Sequence, residues 1–350
     1  MGAVGVALFA AATVCVSSGC STIGYYAQSV GGHLAIVRAA RPVPDWLADE
    51  HTSAALKARL ELSQRIRDFA VSELHEPDNA SYRRYADLKR AAAVWNVVAA
   101  PELSLKLQTW CFAVVGCVGY RGYYDQAGAN AFADGLRAQG LDVSVYGVPA
   151  YSTLGLLPGD TLKDPLLNTF IDYPEGELAR LIFHELAHQI AYAKGDTVFN
   201  ESFATTVERL GAERWLRERA GPPARAEYEQ VEARRRDFRA LTTRYRDRFA
   251  ALYDSAASDD DKRRAKAALL AELRADYEAM KRERWGGFSG YDGWFARANN
   301  ASFGVLAAYN QLVPNFERLF EREGRDFTRF YAEVRRVAAL PPAERRDALP

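Results

Sequence analysis

Residues 184–204 read HELAHQIAYAKGDTVFNESFA, and this stretch decides both the fold and the chemistry that we expect of the chain. On a helix, His184 and His188 lie one turn apart and face the same way, so both imidazoles can bind one Zn²⁺. Glu185 projects beside them and can accept a proton from water that zinc activates near neutral pH. The first five residues therefore predict a hydrolytic metal site on a helix.

A third ligand follows after a turn in the chain. Twelve residues separate His188 from Glu201. Gly195 lets the chain turn back, so that a second helix can direct Glu201 at the two histidines. Asp196 suits the N-cap of that helix, which we expect to run to about Ala220. The sequence thus predicts one zinc ion per chain with three protein ligands: His184, His188 and Glu201.

The sequence also indicates where the metal helix begins and ends. Pro174 suits the first helical position, and Glu175 and Glu177 suit its positively polarised N-terminus. Lys194 and Gly195 suit its last turn and its C′ position. We therefore expect this helix to extend to Lys194.

The region before the metal helix alternates between helical and strand-like patterns. Apolar side chains at helical spacing predict a helix from Thr52 or Ser53 to about His75. Later strands are predicted at 94–100, 111–120 and 141–148, with a helix at 125–140. An edge strand ahead of a metal helix can pair with an extended peptide. We predict an α+β fold with a zincin-like metallopeptidase core over about 50–220.

The remainder of the chain is predicted to be largely helical. In residues 222–285, apolar side chains recur every seven residues on both sides of a polar break at 255–261, which predicts an antiparallel helical hairpin. Acidic residues are interleaved with Arg234-Arg235-Arg236, so we interpret this basic run as a solvated helix face. Residues 286–345 read as a helical part with aromatic anchors.

Composition limits the functional classes. The chain has 350 residues, of which 49% are hydrophobic and 26% charged, which is typical of a globular protein. Its 45 basic and 45 acidic residues give a formal net charge of zero. A general nucleic-acid binder needs a basic excess. We therefore expect no nucleic-acid partner.

The N-terminus reads as an export signal. Residues 3–16 are apolar and too few to span a membrane comfortably, and they lead into Ser17-Ser18-Gly19-Cys20. This ending resembles the lipobox of bacterial lipoproteins, which implies a signal peptide at 1–19 and a lipid on Cys20. The usual positively charged start is missing, since no charge precedes Arg38. The alternative is a buried apolar N-terminal segment.

If the chain is exported in this way, Cys15 is removed with the signal peptide and Cys20 carries the lipid. Cys111 and Cys117 are then the two remaining cysteines. An even number of cysteines in an exported protein suggests a disulfide, and the short spacing allows a tight loop. Two buried thiols are the alternative.

Other parts of the sequence also resemble known peptidases. The segment at 200–204 resembles the Asn-Glu-x-x-Ala helix that supplies the third ligand in gluzincin peptidases. From Cys20 onward, the chain resembles a family of bacterial lipoproteins described as aminopeptidases. The stretches that carry this similarity are 24–33 (GYYAQSVGGH), 150–155 (AYSTLG), 183–189 and 200–205. The resemblance implies an aminopeptidase for peptide substrates, lipid-anchored in the bacterial cell envelope and facing the periplasm.

The sequence departs from the gluzincin pattern at two points. The Gly-x-Met-Glu-Asn segment that binds the substrate amine in many aminopeptidases is missing. Thr205 stands where some gluzincins have an aspartate that orients a histidine, and Glu208, one turn further, could take that role. Its alternative is a surface glutamate. Candidates for holding the ligands in place are Asn200, Thr205 and Glu208.

Further side chains are candidates for the reaction itself. Tyr291 and Tyr309 lie where related peptidases keep a tyrosine that stabilises the oxyanion, although most of the 18 tyrosines are expected to be packing residues. Tyr151 and Ser152, after the strand at 141–148, are candidates for recognising the substrate amine.

The sequence therefore predicts a zinc-dependent peptidase, and the resemblance favours an aminopeptidase. Two alternatives stay open: an envelope endopeptidase or protein-processing metalloprotease, and a non-catalytic envelope scaffold with a structural zinc. A structural zinc site closes its fourth position, whereas a catalytic site keeps it open. The presence of Glu185, which is not a ligand, favours catalysis.

Overall fold

The computed structural model describes residues 24–112, 116–155 and 159–350. The predicted signal peptide and Cys20 lie outside these residues. The fold is mixed α+β, mainly helical with small sheets. None of the helices in the described ranges is both long and apolar enough to cross a membrane.

The elements follow one another in an order that places the strands in the first half. The first half contains α1 (24–39), β1 (Arg41–Pro42), α2 (Val43–Ala48), α3 (Ala54–Ser72), β2 (Arg84–Ala86), β3 (Val94–Pro101), β4 (Trp110–Phe112), β5 (Gly116–Val118), β6 (Arg121–Tyr123), α4 (Gln126–Arg137), β7 (Leu141–Val148) and β8 (Leu166–Leu167). The second half contains α5 (Glu175–Ala187), α6 (Thr197–Glu218), α7 (Pro222–Asp254), α8 (Asp259–Arg284), α9 (Asp292–Arg297), α10 (Asn300–Asn310), α11 (Val313–Arg322), α12 (Phe327–Ala338) and α13 (Pro342–Ala348).

The antiparallel sheet β6-β3-β7 lies between two helices. Alternate residues of β3 point to opposite faces, so Val97 and Ala99 pack towards α4 while Val98 and Ala100 pack towards Ala301 of α10. This explains why β3 is apolar along most of its length. Within the described part of the chain, β7 forms an edge of this sheet, and it ends beside the metal helix α5.

The close crossing of α5 and α6 forms the centre of the largest core. Both helices bury apolar side chains there, among them Leu186 of α5 and Phe203 of α6. Gly211 permits the approach, because a Cβ at this position would lie 2.8 Å from Cδ2 of Phe183 and 2.7 Å from Cδ1 of Leu74. The crossing brings the inward face of α6 next to the predicted ligands on α5.

The predicted antiparallel hairpin is confirmed as α7 and α8. The Tyr245 hydroxyl donates to Asp276 Oδ2 at 2.7 Å, and Arg248 Nη2 donates to Glu272 Oε2 at 2.6 Å, so later residues of α7 face earlier residues of α8. Its apolar stripe forms a separate cluster with the next helices, which includes Phe295.

Two predicted boundaries are wrong. The metal helix ends at Ala187 rather than Lys194, with His188 as its C-cap. The expected strand at 111–120 is instead the hairpin β4–β5, in which Cys111 faces Cys117. Asn200 of α6 binds the backbone of Ala193 beyond the end of the metal helix. The antiparallel pairing of β4 with β5 divides the predicted strand in two.

Candidate metal centre

The loop between α5 and α6 is fixed by the side chain of Asn200. Its Oδ1 accepts from the backbone N–H of Ala193 at 2.7 Å, and its Nδ2 donates to the carbonyl oxygen of Ala193 at 2.9 Å. Gly195 turns the chain with φ +77°, and Asp196 then caps α6 by accepting from the N–H of Phe199 at 3.1 Å. These contacts set where α6 starts, and therefore where Glu201 points.

The three predicted ligands lie together. Their donor atoms are all within 4.8 Å of one another. Glu201 Oε2 is 3.4 Å from Nε2 of His184 and 3.7 Å from Nε2 of His188. Donor atoms that share one tetrahedral zinc at its usual bond lengths lie roughly 3.3 Å apart. This buried Oε2 also has no hydrogen-bond partner among the described residues. The donor set and its spacing therefore fit a zinc ion.

Burial and neighbouring charges shift the pKa values at the site. Burial raises the pKa of Glu185 to about 8, against the effect of His184, and lowers that of His188 to about 4. For Glu201, burial opposes ionisation, but the neighbouring imidazoles of His184 and His188 outweigh it and lower the pKa. Burial also lowers the pKa of His184, but Glu201 and Glu208 outweigh it and raise the pKa well above its usual value. A metal ion would therefore compete with a proton at His184.

Glu208 holds His184 in position. Its Oε2 lies 2.8 Å from Nδ1 of His184, which leaves Nε2 free to face Glu201. Such a carboxylate fixes the orientation and tautomer of a ligating imidazole. The other oxygen of Glu208 accepts from Arg180. Burial would raise the pKa of Glu208, but Arg180 outweighs it and holds the value at about 2.

Arg180 connects this pair to the helical hairpin. Its Nη1 donates at 2.9 Å to Glu232 of α7. Glu232 also accepts from Arg235 at 2.7 Å and from Arg239 at 2.6 Å. The interpretation of residues 234–236 as a solvated face is thus wrong for Arg235, whose guanidinium points inward to Glu232 and to Glu177 of α5.

Two cavities adjoin the predicted ligands. We name the first the tyrosine cavity and the second the arginine cavity; their volumes are about 400 Å³ and about 430 Å³. Both are lined by Val148, Ala150, His184, Glu185 and Tyr309. The tyrosine cavity is further lined by Tyr25, Tyr26, Tyr120, Tyr124, Tyr151 and Tyr192. The arginine cavity is further lined by Arg180, Arg235 and Arg239, among others. The predicted general base Glu185 therefore lines both cavities.

The structure separates the two candidate tyrosines. The ring of Tyr309 lies 6.3 Å from that of His184, and burial raises its pKa well above the usual value. Tyr291 lines the arginine cavity, but its ring stacks on Phe238 at 4.5 Å within the hairpin's aromatic cluster. Of the two, only Tyr309 is brought beside a ligand.

Two tyrosines near the ligands were missed by sequence reasoning. Tyr120 and Tyr192 line the tyrosine cavity, and their pKa values are raised by burial and then by the charge of Glu201. Both lie in loops, after β5 and after α5, where no periodic pattern distinguishes them from the other tyrosines.

The remaining candidates lie around the cavities. Thr205 is buried and lines the arginine cavity. Ser152 donates to the backbone oxygen of Glu185 at 3.4 Å, and the hydroxyl of Tyr151 lies 2.7 Å from Nδ1 of His33. Ser152 and Tyr151 both line the tyrosine cavity. Their position is compatible with substrate contact, although each also has a partner within the protein.

The hairpin β4–β5 borders the same cavity. Cys111 and Cys117 form a disulfide across it. Phe112 and Val118, next to these cysteines, line the tyrosine cavity. The disulfide thus joins the two strands that form this part of the wall.

Comparison with known proteins gives one positive result. Residues 24–349 match the model of a protein family described as "Putative aminopeptidase". The matched range begins with α1 and includes both helices of the metal centre. No curated protein and no solved structure matches the chain.

Proposed function

Because the chain belongs to this aminopeptidase family, we propose that it is a zinc-dependent aminopeptidase in which α5 and α6 form a zincin-like core. The observation that carries the zinc is the convergence of three donor atoms within 4.8 Å, from His184, His188 and Glu201. Two imidazoles and one carboxylate leave a fourth position open, which is typical of catalytic zinc. The two adjoining cavities supply room for a substrate.

The residues around the ligands have separate tasks in the proposed reaction. When bound, zinc acts as a Lewis acid that polarises a peptide carbonyl and makes water a nucleophile near neutral pH. Glu185 takes the proton of the attacking water and passes it to the leaving amine. Tyr309 is the candidate donor to the oxyanion, since it lies beside His184 and lines both cavities.

Other residues keep this arrangement in place. Glu208 orients His184, and Asn200 fixes the start of α6 through Ala193. Both contacts are made to other groups of the protein, so each residue can hold a ligand in position.

An endopeptidase is the second candidate, because two cavities adjoin His184 and Glu185 and could together hold a longer peptide. A pair of peptides that differ only in N-terminal acetylation separates the two activities. An aminopeptidase cleaves the free-amine peptide and spares its acetylated twin, since acetylation removes the charge and adds bulk. Comparable rates on both peptides would reject the aminopeptidase assignment but would still be consistent with a zinc-dependent hydrolase.

Two variants test the metal and the base directly. His184→Ala should lose its zinc in elemental analysis, whereas His51→Ala, at an exposed histidine, should keep it. Glu185→Gln should keep zinc and fold but lose turnover, because the amide cannot accept the proton of water. Full activity in Glu185→Gln would remove Glu185 from the mechanism and require a different base.

We also propose that the mature chain begins at a lipid-modified Cys20 and is held at the periplasmic face of the envelope. The support is the Ser18-Gly19-Cys20 ending of the apolar segment. Labelled fatty acid should be incorporated by the wild type and lost in Cys20→Ala, while Cys15→Ala should still be labelled. Equal labelling of the wild type and Cys20→Ala would contradict the proposed lipid anchor.

A further inference from the structure

We propose that the tyrosine cavity selects the N-terminal residue of the substrate and favours one with a large, uncharged side chain, aromatic or branched aliphatic. This inference rests on the proposed aminopeptidase function and assigns a substrate class to it. Three properties of the cavity support it: its lining, its charge and the rigidity of its outer wall.

The lining of the cavity is aromatic and apolar. Besides its tyrosines, the side chains of Val94, Phe112 and Val118 face it. Its volume of about 400 Å³ is ample for one large side chain. Aromatic walls stabilise a bound ring by edge-to-face or offset contacts in addition to apolar burial. A small side chain such as that of alanine would leave most of this surface uncovered.

The charge of the cavity disfavours a charged side chain. Of the described residues that line it, the carboxylates are Glu185 and Glu201, and none is Lys or Arg. Both carboxylates lie at the metal centre, where the ammonium of the substrate's N-terminus must also bind. A substrate lysine or glutamate would give up its hydration without gaining a partner of its own. The arginine cavity, by contrast, is rich in ionised groups.

The outer wall is helix α1, which is fixed against the sheet. Gln28 donates to the carbonyl oxygen of Gly122 at 3.3 Å and accepts from the N–H of Tyr124 at 3.1 Å. One turn away, the ring of Tyr25 stacks on Phe112 at 5.3 Å. Because Tyr25, Tyr26 and Ser29 of α1 line the cavity, α1 limits the space for a peptide chain that continues in this direction. The cavity therefore suits the end of a substrate rather than its interior.

Ser29 offers a way to change the size of the cavity. It lies on α1 and lines the cavity with a small side chain, whereas its neighbour Val30 is exposed and does not line it. In Ser29→Phe the new ring would fill space that a large substrate side chain needs. Val30→Phe adds the same type of side chain on the outer face of the same helix and is the matched control.

The test uses zinc-loaded full-length protein and free-amine peptides that differ only in their N-terminal residue: Phe, Leu, Ala, Lys or Glu. We expect the wild type to prefer Phe and Leu over Lys and Glu by about tenfold or more in kcat/KM. Ser29→Phe should lower kcat/KM for Phe by about tenfold and leave that for Ala within about threefold. Val30→Phe should leave the whole series unchanged.

Equal rates for Phe and Lys in the wild type would overturn the proposal, and so would a uniform loss across the series in Ser29→Phe. A measurement of peptide binding distinguishes failure of this proposal from failure of the proposed aminopeptidase function. If no peptide is cleaved, calorimetry with zinc-loaded protein still reports selection in the cavity. Binding of the Phe peptide that Ser29→Phe weakens would then support the cavity's role, and absence of such binding would reject it.

Discussion

Helix α7 carries two groups of arginine–carboxylate pairs that differ mainly in exposure. In the outer pair, the side chains of Arg248 and Glu272 are 42% and 52% exposed. In the inner group, those of Arg180 and Glu232 are only 7% and 13% exposed. Exposed pairs of this kind contribute little to stability, whereas removal of one partner of a buried pair leaves an uncompensated charge. Pairs of the same residue types on α7 are therefore expected to matter little where they are exposed and much more where they are buried.

The inner group also makes the hairpin part of the metal centre. A continuous chain of contacts runs from Glu232 through Arg180 and Glu208 to His184. A change on α7 can therefore reach a metal ligand without touching it. Within the described part of the chain, no such series of contacts links the outer pair to a predicted ligand. Four predictions separate the two groups.

The largest effect is expected for Arg180→Met. The loss of this guanidinium leaves Glu208 and Glu232 without one of their cations, so the free energy of unfolding should fall by about 3–5 kcal/mol. Urea denaturation followed by circular dichroism measures it. Arg180→Lys keeps the charge without the forked geometry and should fall between this variant and the wild type. An unchanged midpoint in Arg180→Met would mean that the inner group is not coupled to the fold.

Glu232→Gln should cost about 2–4 kcal/mol of unfolding free energy, because three arginines lose their shared carboxylate. Glu229→Gln, at an exposed position of the same helix, is the control.

Burial would raise the pKa of Glu232, but the hydrogen bond from Arg239 and the charge of Arg180 hold it at about 2. The stabilisation by this group is therefore present above its ordinary pKa and is lost as the pH falls towards 2. The difference in unfolding free energy between the wild type and Glu232→Gln should therefore become smaller below about pH 4. A difference that stays constant with pH would contradict this account.

Glu208→Gln should act on the metal more than on the fold. The amide can still contact Nδ1 of His184 but no longer provides a charge, so zinc affinity should fall by about 10–100-fold. Competition with a fluorescent chelator measures that affinity. Wild-type affinity in this variant would show that His184 is oriented by other contacts.

The smallest effect is expected for Arg248→Gln in the outer pair. Its unfolding free energy should change by less than about 1 kcal/mol, because both partners are largely solvated. Zinc affinity should stay at the wild-type value. A loss comparable to that of Glu232→Gln would erase the distinction between the two groups.

The sequence predicted those features whose determinants are close together in the chain. The spacing of His184 and His188 and the Asn200-Glu201 segment belong to adjacent helices, and the hairpin repeats every seven residues. Features set by distant contacts were missed. Arg235 points inward to Glu177, which lies 58 residues away in the sequence. No local sequence pattern indicates this contact.

The end of the metal helix shows the same limit. Lys194 and Gly195 have the composition of a helix end, but the chain leaves the helix at Ala187, and Asn200 supplies the backbone contacts of Ala193 from the following helix. The walls of the tyrosine cavity are likewise assembled from α1, the sheet and loops, so their shared role appears only in three dimensions. The lipid on Cys20 stays a prediction.

The pair of hydrogen bonds between Asn200 and Ala193 bears on how the proposed metal site would be loaded. Neither bond uses a ligand atom, so the loop that separates His188 from Glu201 is held without help from an ion. In the proposed zinc enzyme, the turn between α5 and α6 would therefore not depend on the metal ion for its own contacts. Folding of this turn would then come before metal binding, and zinc would have to displace only water and a proton from the ligands.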